Sequence, residues 1–349
     1  MEILTPRERF NLLVFDETPD RVLIFPLITN HSAYVSNYSI KDYYTKGEIL
    51  AQAQINAYEI YQTDFLSVFS EVGIIAEALG SYFEYPQEDL PKLKKPLFSN
   101  LQEYWERKLN SQYDEGKGRL YLYFDAIKIL YKTLGDILPI LAYIPAPFTT
   151  LALLFEPTEI LKEVSFSNLE KKKILKEVLL LITDFTIQFM KSVINYGALP
   201  IVVDPLASGS VISPETYKNF ALPYEERLIN YLHRYDLDVI LHICGNTQVY
   251  LKELKKSTAD LLSLDRINLF SAKKFLGNKF RLIGNFDTTE ILLLSPEEIR
   301  KKVKNLVLKM KNNKKGYILA TGCEVPFSTP KENLITFIEE GKRWGRYKF

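Results

Sequence analysis

Short apolar runs recur along this chain, and between them lie longer stretches whose apolar residues return every three or four positions. "RVLIFPLI" (21–28) precedes an amphipathic stretch at 39–62, and "DFLSVFSEV" (64–72) follows it. "ILPILAYI" (137–144) leads into a long helical region ending near Tyr196, and "LPIVVDPL" (199–206) precedes a helix at about 214–233. "DVILHIC" (238–244), "LLSLD" (261–265), "FRLIGNFD" (280–287) and "GYILATGC" (316–323) complete the series. Apolar runs of this length read as strands, and the 3.6-residue periodicity reads as helix. Helix starts are marked by "TPRE" (5–8), "SPEE" (295–298) and "TPKE" (329–332). Each offers a hydroxyl N-cap, a proline at the first helical position and Glu at the third. "SPET" (213–216) keeps the cap and the proline.

Roughly eight strands alternating with helices predict an α/β fold, a (β/α)8 TIM barrel with N-terminal helical additions. A doubly wound open sheet competes, but it usually carries a glycine-rich phosphate loop, and the chain has no GxGxxG or P-loop. No internal repeat, low-complexity tract or linker interrupts the pattern, so residues 1–349 read as one domain. The polar, proline-containing segment 84–118 reads as an excursion from the barrel.

Charge excludes some function classes. Lys and Arg (44) balance Asp and Glu (43), which argues against a broad nucleic-acid or membrane-surface footprint. The basic run at 300–316 reads as a solvated helix face. Two cysteines make no disulfide framework, and "MEILTPRERFNLLVF" lacks the layout of a signal peptide. The apolar stretches are broken by Lys, Gly, Asp or Pro within fewer than about 18 residues, too short to span a bilayer. A soluble, cytoplasmic protein is expected.

The candidate chemistry sits at strand ends. In "LHICGN" His242 and Cys244 are two residues apart, so a strand projects both to one face. Cys323, in "ATGCEVP", ends another run. A barrel keeps its chemistry at the C-terminal ends of its strands. Taken alone, a His-x-Cys pair is equally well satisfied by core packing. The joint position of all three residues makes them candidate ligands for Zn2+ with a fourth position open, and mixed Cys/His ligation suits zinc better than iron or copper. Two thiolates offset the metal's charge, so such a centre activates water poorly but can hold an incoming thiol as thiolate, the nucleophilic form. Alkyl transfer to a thiol fits this better than hydrolysis.

"LHICGNT" (241–247), "IGNFD" (283–287) and "GCEVPFSTPKENL" (322–334) together resemble the uroporphyrinogen decarboxylase superfamily, and more narrowly its corrinoid-dependent branch, the methylcobalamin:coenzyme M methyltransferases. "VFSEVGIIAEALG" (68–80), "APFTTLALL" (146–154) and "DPLASGSVISPETYKNFALPYEERL" (204–228) resemble the same superfamily, so the likeness spans nearly the whole chain. The resemblance implies a (β/α)8 barrel with His242, Cys244 and Cys323 as zinc ligands. It further implies a methyl-corrinoid donor, such as methylcobalamin, carried by a small partner protein, and a small thiol acceptor such as coenzyme M. Another zinc–thiolate alkyltransferase, epoxyalkane:coenzyme M transferase-like or methionine-synthase-like, and a non-catalytic corrinoid- or tetrapyrrole-binding barrel remain alternatives.

The departures are informative. Decarboxylases of the superfamily carry Asp where Glu71 stands, an RxxGRY motif without counterpart after "FPLITNHSAYV", a tyrosine at the position of Leu153 and a histidine at that of Cys323. Those losses disfavour porphyrinogen decarboxylation. Asn30, His31, Glu71, Asp204, Asn285 and Asp287 are strand-end candidates for substrate contact. Glu71 and Glu324 are further candidates for the fourth zinc position. His233 lies near a helix C-terminus and reads as structural.

Overall fold

The computed structural model describes residues 3–69 and 71–347. In chain order its strands are β1 (Leu23–Leu27), β2 (Leu66–Val68), β3 (Tyr82–Glu84), β4 (Lys92–Lys95), β5 (Ile140–Pro145), β6 (Leu199–Val203), β7 (Ile240–Ile243), β8 (Leu261–Leu264), β9 (Arg281–Phe286) and β10 (Tyr317–Glu324). Eight of them form one parallel sheet in the order β1-β10-β9-β8-β7-β6-β5-β2, with helices in the connections. The sheet curls until the first and second barrel strands, β1 and β2, meet. This is the expected (β/α)8 barrel. The predicted excursion holds the antiparallel ribbon β3–β4 and the helix Leu101–Arg107.

Side chains close the β1–β2 seam. Asp64, just before β2, donates its backbone N–H to the Ile24 carbonyl at 3.1 Å and accepts the Ile24 N–H on its carboxylate at 2.7 Å. Further along, the Gln54 amide donates to the Ile28 carbonyl at 3.1 Å and accepts the Ser67 N–H at 3.1 Å. Both residues are buried. They satisfy strand groups that a regular ladder would otherwise pair.

Strand alternation sorts the core. Leu23, Phe25, Leu141, Tyr143, Ile201, Val203, Ile240, Leu261, Ile283 and Ile318 fill the interior, while Ile24, Ala142, Val202, Leu241 and Leu319 pack against the helices. The helix Pro6–Val14 adds Phe10 and Leu13 to the interior cluster, with Phe10 edge-on to Phe65 at 5.3 Å. Among the described residues, no helix is long and apolar enough to cross a membrane.

The cap motifs fare unequally. Thr5 and Glu8 form a capping box, as do Ser295 and Glu298, and Ser213 caps its helix by accepting the Thr216 N–H at 3.1 Å. "TPKE" differs: Thr329 donates back to the Pro326 carbonyl at 2.8 Å, and the helix runs Lys331–Gly345 with Pro330 as an uncapped N-cap. A nearer carbonyl has won the hydroxyl. The stretch expected as one helix at 39–62 divides into Ile40–Thr45 and Gly47–Tyr61 at an extended Lys46. The break sets Gly47 directly against the backbone of the helix Leu120–Leu134.

Candidate metal centre at the barrel mouth

β7 and β10 bring the three sequence candidates together at the C-terminal ends of the strands. His242 Nε2 lies 3.1 Å from Cys244 Sγ, which lies 3.4 Å from Cys323 Sγ, and a ligand atom from each of the three fits within 4.8 Å. His242 follows the inward parity of Ile240. The route of Cys323 is less direct. Ile318 and Ala320 point inward, so strict alternation sends residue 323 outward. The β1–β10 pairing, however, jumps from Phe25–Ala320 to Leu27–Glu324. Within this irregularity Thr321 accepts the Leu27 N–H at 3.0 Å and donates to the Cys323 carbonyl at 2.7 Å. The distorted stretch delivers Cys323 to the centre.

Neighbouring residues hold these groups in place. His242 Nδ1 meets Ser263 Oγ on β8 at 2.8 Å, which leaves Nε2 for the sulfurs. Asp265, one residue past β8, accepts the Gly245 N–H at 2.8 Å. Its other oxygen occupies the space a Cβ on Gly322 would need, 2.5 Å away. Gly245 has φ +68°, and a Cβ there would strike Ser208 Oγ. The glycine beside each cysteine is thus required by close approach. The thiols themselves form a hydrogen-bonded pair. The contact with Cys244, reinforced by His242 against the cost of burial, holds Cys323 well below the ordinary thiol range, while the same contact, burial and nearby negative groups push Cys244 up.

A tetrahedral zinc with these donors sets S···S near 3.8 Å and N···S near 3.6 Å, by bond lengths of about 2.3 and 2.0 Å. The observed 3.4 and 3.1 Å need to open by only a few tenths of an ångström. Both sulfurs bind a metal as thiolates, so loading releases any proton the pair still holds. Ser263 and Asp265 were missed in the sequence because "LLSLD" carries no motif; a serine inside a leucine strand was the available signal. Ser263→Ala is expected to weaken zinc binding by about 10–100-fold, the usual effect of losing a ligand's supporting hydrogen bond. A competition titration with a chromophoric chelator checks this.

The weaker candidates divide by what already occupies them. Glu324, half-buried, accepts a hydrogen bond from Thr29, and burial, with Cys323 and Glu71 nearby, pushes its carboxyl up to about 8. Glu71 pairs with Arg119 at 2.6 Å; the guanidinium also pairs with Glu77 at 2.8 Å and lies over the Tyr85 ring at 4.0 Å. Asn30 donates to the Tyr44 hydroxyl at 3.0 Å and, among the described residues, keeps a buried, unpartnered Oδ1. The Tyr143 hydroxyl, which the sequence did not single out, is likewise buried without a partner. Asp204 accepts from the Thr149 N–H at 3.0 Å and hydroxyl at 2.5 Å, and burial raises it to about 6. Asn285 donates to the Asp265 and Ile267 carbonyls at 2.8 and 2.7 Å. Asp287 caps a helix through the Thr289 and Glu290 N–H groups. His233 pairs with Asp260 at 2.9 Å.

His31 is fully buried between the Phe327 carbonyl and the Tyr61 hydroxyl, each 2.8 Å from a ring nitrogen. The carbonyl requires the proton on Nδ1, so Tyr61 donates to a bare Nε2 and the ring is neutral. Burial lowers its pKa from 6.5 to about 4. Between those values the unfolded chain binds a proton that the folded chain refuses, so stability is undiminished above pH 6.5 and falls by about 3 kcal/mol as pH drops toward 4. Urea unfolding of the wild type and His31→Gln over this range should show a shallower pH slope in the variant.

A parallel α/β barrel with an imidazole and two thiols gathered at its mouth defines the class: a barrel enzyme with a candidate soft-metal centre. Residues 5–344 match the family model for Uroporphyrinogen decarboxylase (URO-D), and the chain belongs to that family. It is 28% identical over 298 residues, 84% of this chain and 77% of the relative, to a methylated-thiol–coenzyme M methyltransferase of Methanosarcina mazei. It is 30% identical over 258 residues, 73% of this chain and 72% of the relative, to the methylcobamide:CoM methyltransferase MtbA of Methanosarcina acetivorans. A relative from Geobacter sulfurreducens named uroporphyrinogen decarboxylase is 25% identical over 306 residues, 84% of each chain. A solved methyltransferase from Methanosarcina mazei shares the fold with a TM-score of 0.86 at 20% identity, covering 97% of this chain and 99% of its own. The expected assignment, a methyl-transfer enzyme of this family, agrees with the methyltransferase relatives.

Proposed function

We propose that the whole chain acts as one cytoplasmic barrel domain that transfers a methyl group from a methylated corrinoid, carried by a small partner protein, to a small thiol held at zinc. The observation that carries this reading is the convergence of His242, Cys244 and Cys323 at the mouth. Similarity to enzymes named for methylcobamide and coenzyme M supports the donor and makes coenzyme M the first acceptor to try. The histidine and the two cysteines are the ligands. When bound, zinc lowers the pKa of an acceptor thiol and keeps it in the nucleophilic thiolate form.

The chain's own groups do the rest. Ser263 fixes the His242 ring so that Nε2 faces the sulfurs. Asp265 anchors the backbone beside Cys244 and abuts the glycine beside Cys323, which limits the freedom of both donors. Phe69, Tyr143, Val203 and Ile283 belong to the buried cluster that fills the barrel interior, which limits hydration of the sulfurs from that side. A thiolate in such surroundings is less hydrated and reacts more readily at carbon. In the metal-free site burial, with Cys323 nearby, pushes the Glu324 carboxyl up to about 8, which favours its neutral form beside the sulfurs. Two departures that the resemblance to the decarboxylases implies support the reading: Cys323 supplies a sulfur in place of a histidine, and Leu153 is apolar in place of a tyrosine.

The test is turnover of free methylcobalamin, followed by its absorbance change, with a panel of thiols by zinc-loaded and chelator-stripped protein. Thiol-dependent demethylation that returns with zinc supports the reading. No turnover with any thiol sinks it.

A further inference from the structure

The helix Leu169–Asn195 has 27 residues and is about 40 Å long. The strand it feeds, β6, has five residues and is about 16 Å long. Only three residues join them, so the helix C-terminus is tied to the bottom of the barrel and its N-terminal part must stand beyond the mouth. Side-chain contacts agree. The Lys176 carbonyl accepts from Tyr224, near the start of the helix Leu222–His233 that descends from the mouth end, and Glu177 accepts from Tyr104 of the excursion at 2.9 Å.

This raised rim has an unusual surface. Phe166 and Leu169 are 86% and 87% exposed, and Trp105 on the adjoining helix is 55% exposed. Leu169 lines an open cavity of about 390 Å³ with Lys172, Lys173, Lys176, Asn219 and Phe220, while Trp105 lines the neighbouring groove with Glu163, Glu170 and Lys171. Lys176 lies toward the Phe220 ring, 5.8 Å from its centroid. Among the described residues, none of the three lysines pairs with a carboxylate, whereas Lys171 nearby is paired with Glu163 at 2.6 Å. Exposed apolar side chains beside unpaired cations are the composition of a docking site, because the apolar groups supply burial and the charges supply steering and register.

We propose that this rim is the docking surface for the corrinoid-carrying partner, whose matching face presents carboxylates around an apolar patch. The inference rests on the methyl-transfer reading above and deepens it. The position of the rim selects this occupant. A donor too large to enter the barrel must approach from the mouth, and the rim rises on that side. A second copy of the chain is the competing occupant: in a two-fold contact these lysines would meet whatever lies across the axis, and dimerisation is therefore read in the same experiment. The net charge of +1 makes the three lysines a local feature, too small for a nucleic-acid track.

The experiment uses the zinc-loaded full chain and a cobalamin-carrying protein purified from the source cells by following its corrinoid absorbance. Binding is measured by sedimentation, independently of turnover, for the wild type, Lys172→Glu/Lys173→Glu and Phe166→Ser/Leu169→Ser. Each double variant is expected to raise Kd for the carrier on the order of ten-fold or more, with a weaker salt dependence in the lysine variant. KM for the carrier-borne methyl donor should rise in step, while turnover of free methylcobalamin stays at the wild-type rate. Unchanged Kd in both variants overturns the docking face, as does a wild type that fails to bind the carrier. Concentration-dependent dimerisation abolished by Phe166→Ser/Leu169→Ser also overturns it, in favour of a self-interface. A Kd shift without free-donor turnover in any form supports the docking surface and sinks the reaction reading, so the two failures are distinct.

Discussion

Cys323→Ser is expected to lose stoichiometric zinc and all thiol methylation while the barrel stays folded. A serine hydroxyl does not ionise near neutral pH and gives the metal no thiolate, and only His242 and Cys244 remain at the centre. The fall in zinc affinity should exceed the roughly 10–100-fold that follows loss of a supporting hydrogen bond. Stability should move by no more than about 1 kcal/mol, since Cys323 is only half-buried and the exchange of sulfur for oxygen opens little space. Metal analysis after dialysis, paired with thermal unfolding of the metal-free proteins, reads both effects. One zinc per chain retained in the variant would falsify the ligand assignment. The resemblance to the decarboxylases implies a histidine at this position in them, so Cys323→His asks a separate question. It supplies a nitrogen donor in place of the sulfur, and it is expected to retain more zinc than the serine variant.

The second large effect lies at the opposite end of the barrel. Asp64 is fully buried and accepts from Arg9 at 3.0 Å, from Arg21 at 2.6 and 2.9 Å, and from the Ile24 N–H at 2.7 Å. Arg9 also reaches Asp20 at 2.6 and 2.9 Å. Asp64→Ala therefore removes the buried carboxylate that Arg9 and Arg21 share and opens the β1–β2 seam. Removing one member of a buried ion pair costs about 3–5 kcal/mol, because the surviving charge remains desolvated. Urea unfolding should show that loss, with zinc affinity unchanged in the folded protein. A loss below about 1 kcal/mol would show that Gln54 alone holds the seam.

Much of this architecture was legible along the chain. Each of the eight apolar runs became a barrel strand, because strands buried on both faces have nowhere to place polar side chains. The capping boxes at Thr5 and Ser295 also formed where "TPRE" and "SPEE" stand. Local signals succeed when the groups that satisfy one another are close in sequence. They failed at Thr329, whose hydroxyl had a nearer carbonyl available, and at Lys46, where contact with a distant helix decided the break. The strand-end residues show the same limit. Asn285 and Asp287 are two positions apart, yet one braces neighbouring carbonyls and the other caps a helix.

The sequence by itself determined the barrel, the donor types and the parity that turns His242 inward, because all three follow from residue identity and a two-residue period. Only the tertiary structure decided that Cys323 joins it. Alternation from Ile318 and Ala320 points that side chain outward, and the slip in the β1–β10 pairing, held by Thr321, reverses it. The supporting groups, unlike the three donors, were not legible in the sequence. Ser263 and Asp265 matter because β8 lies beside β7 and because Gly245 and Gly322 leave room for the carboxylate, and both conditions exist only once the strands have paired. A pattern along the chain specifies which face a residue prefers; which other residue it meets is set by register, and register is a property of the closed barrel.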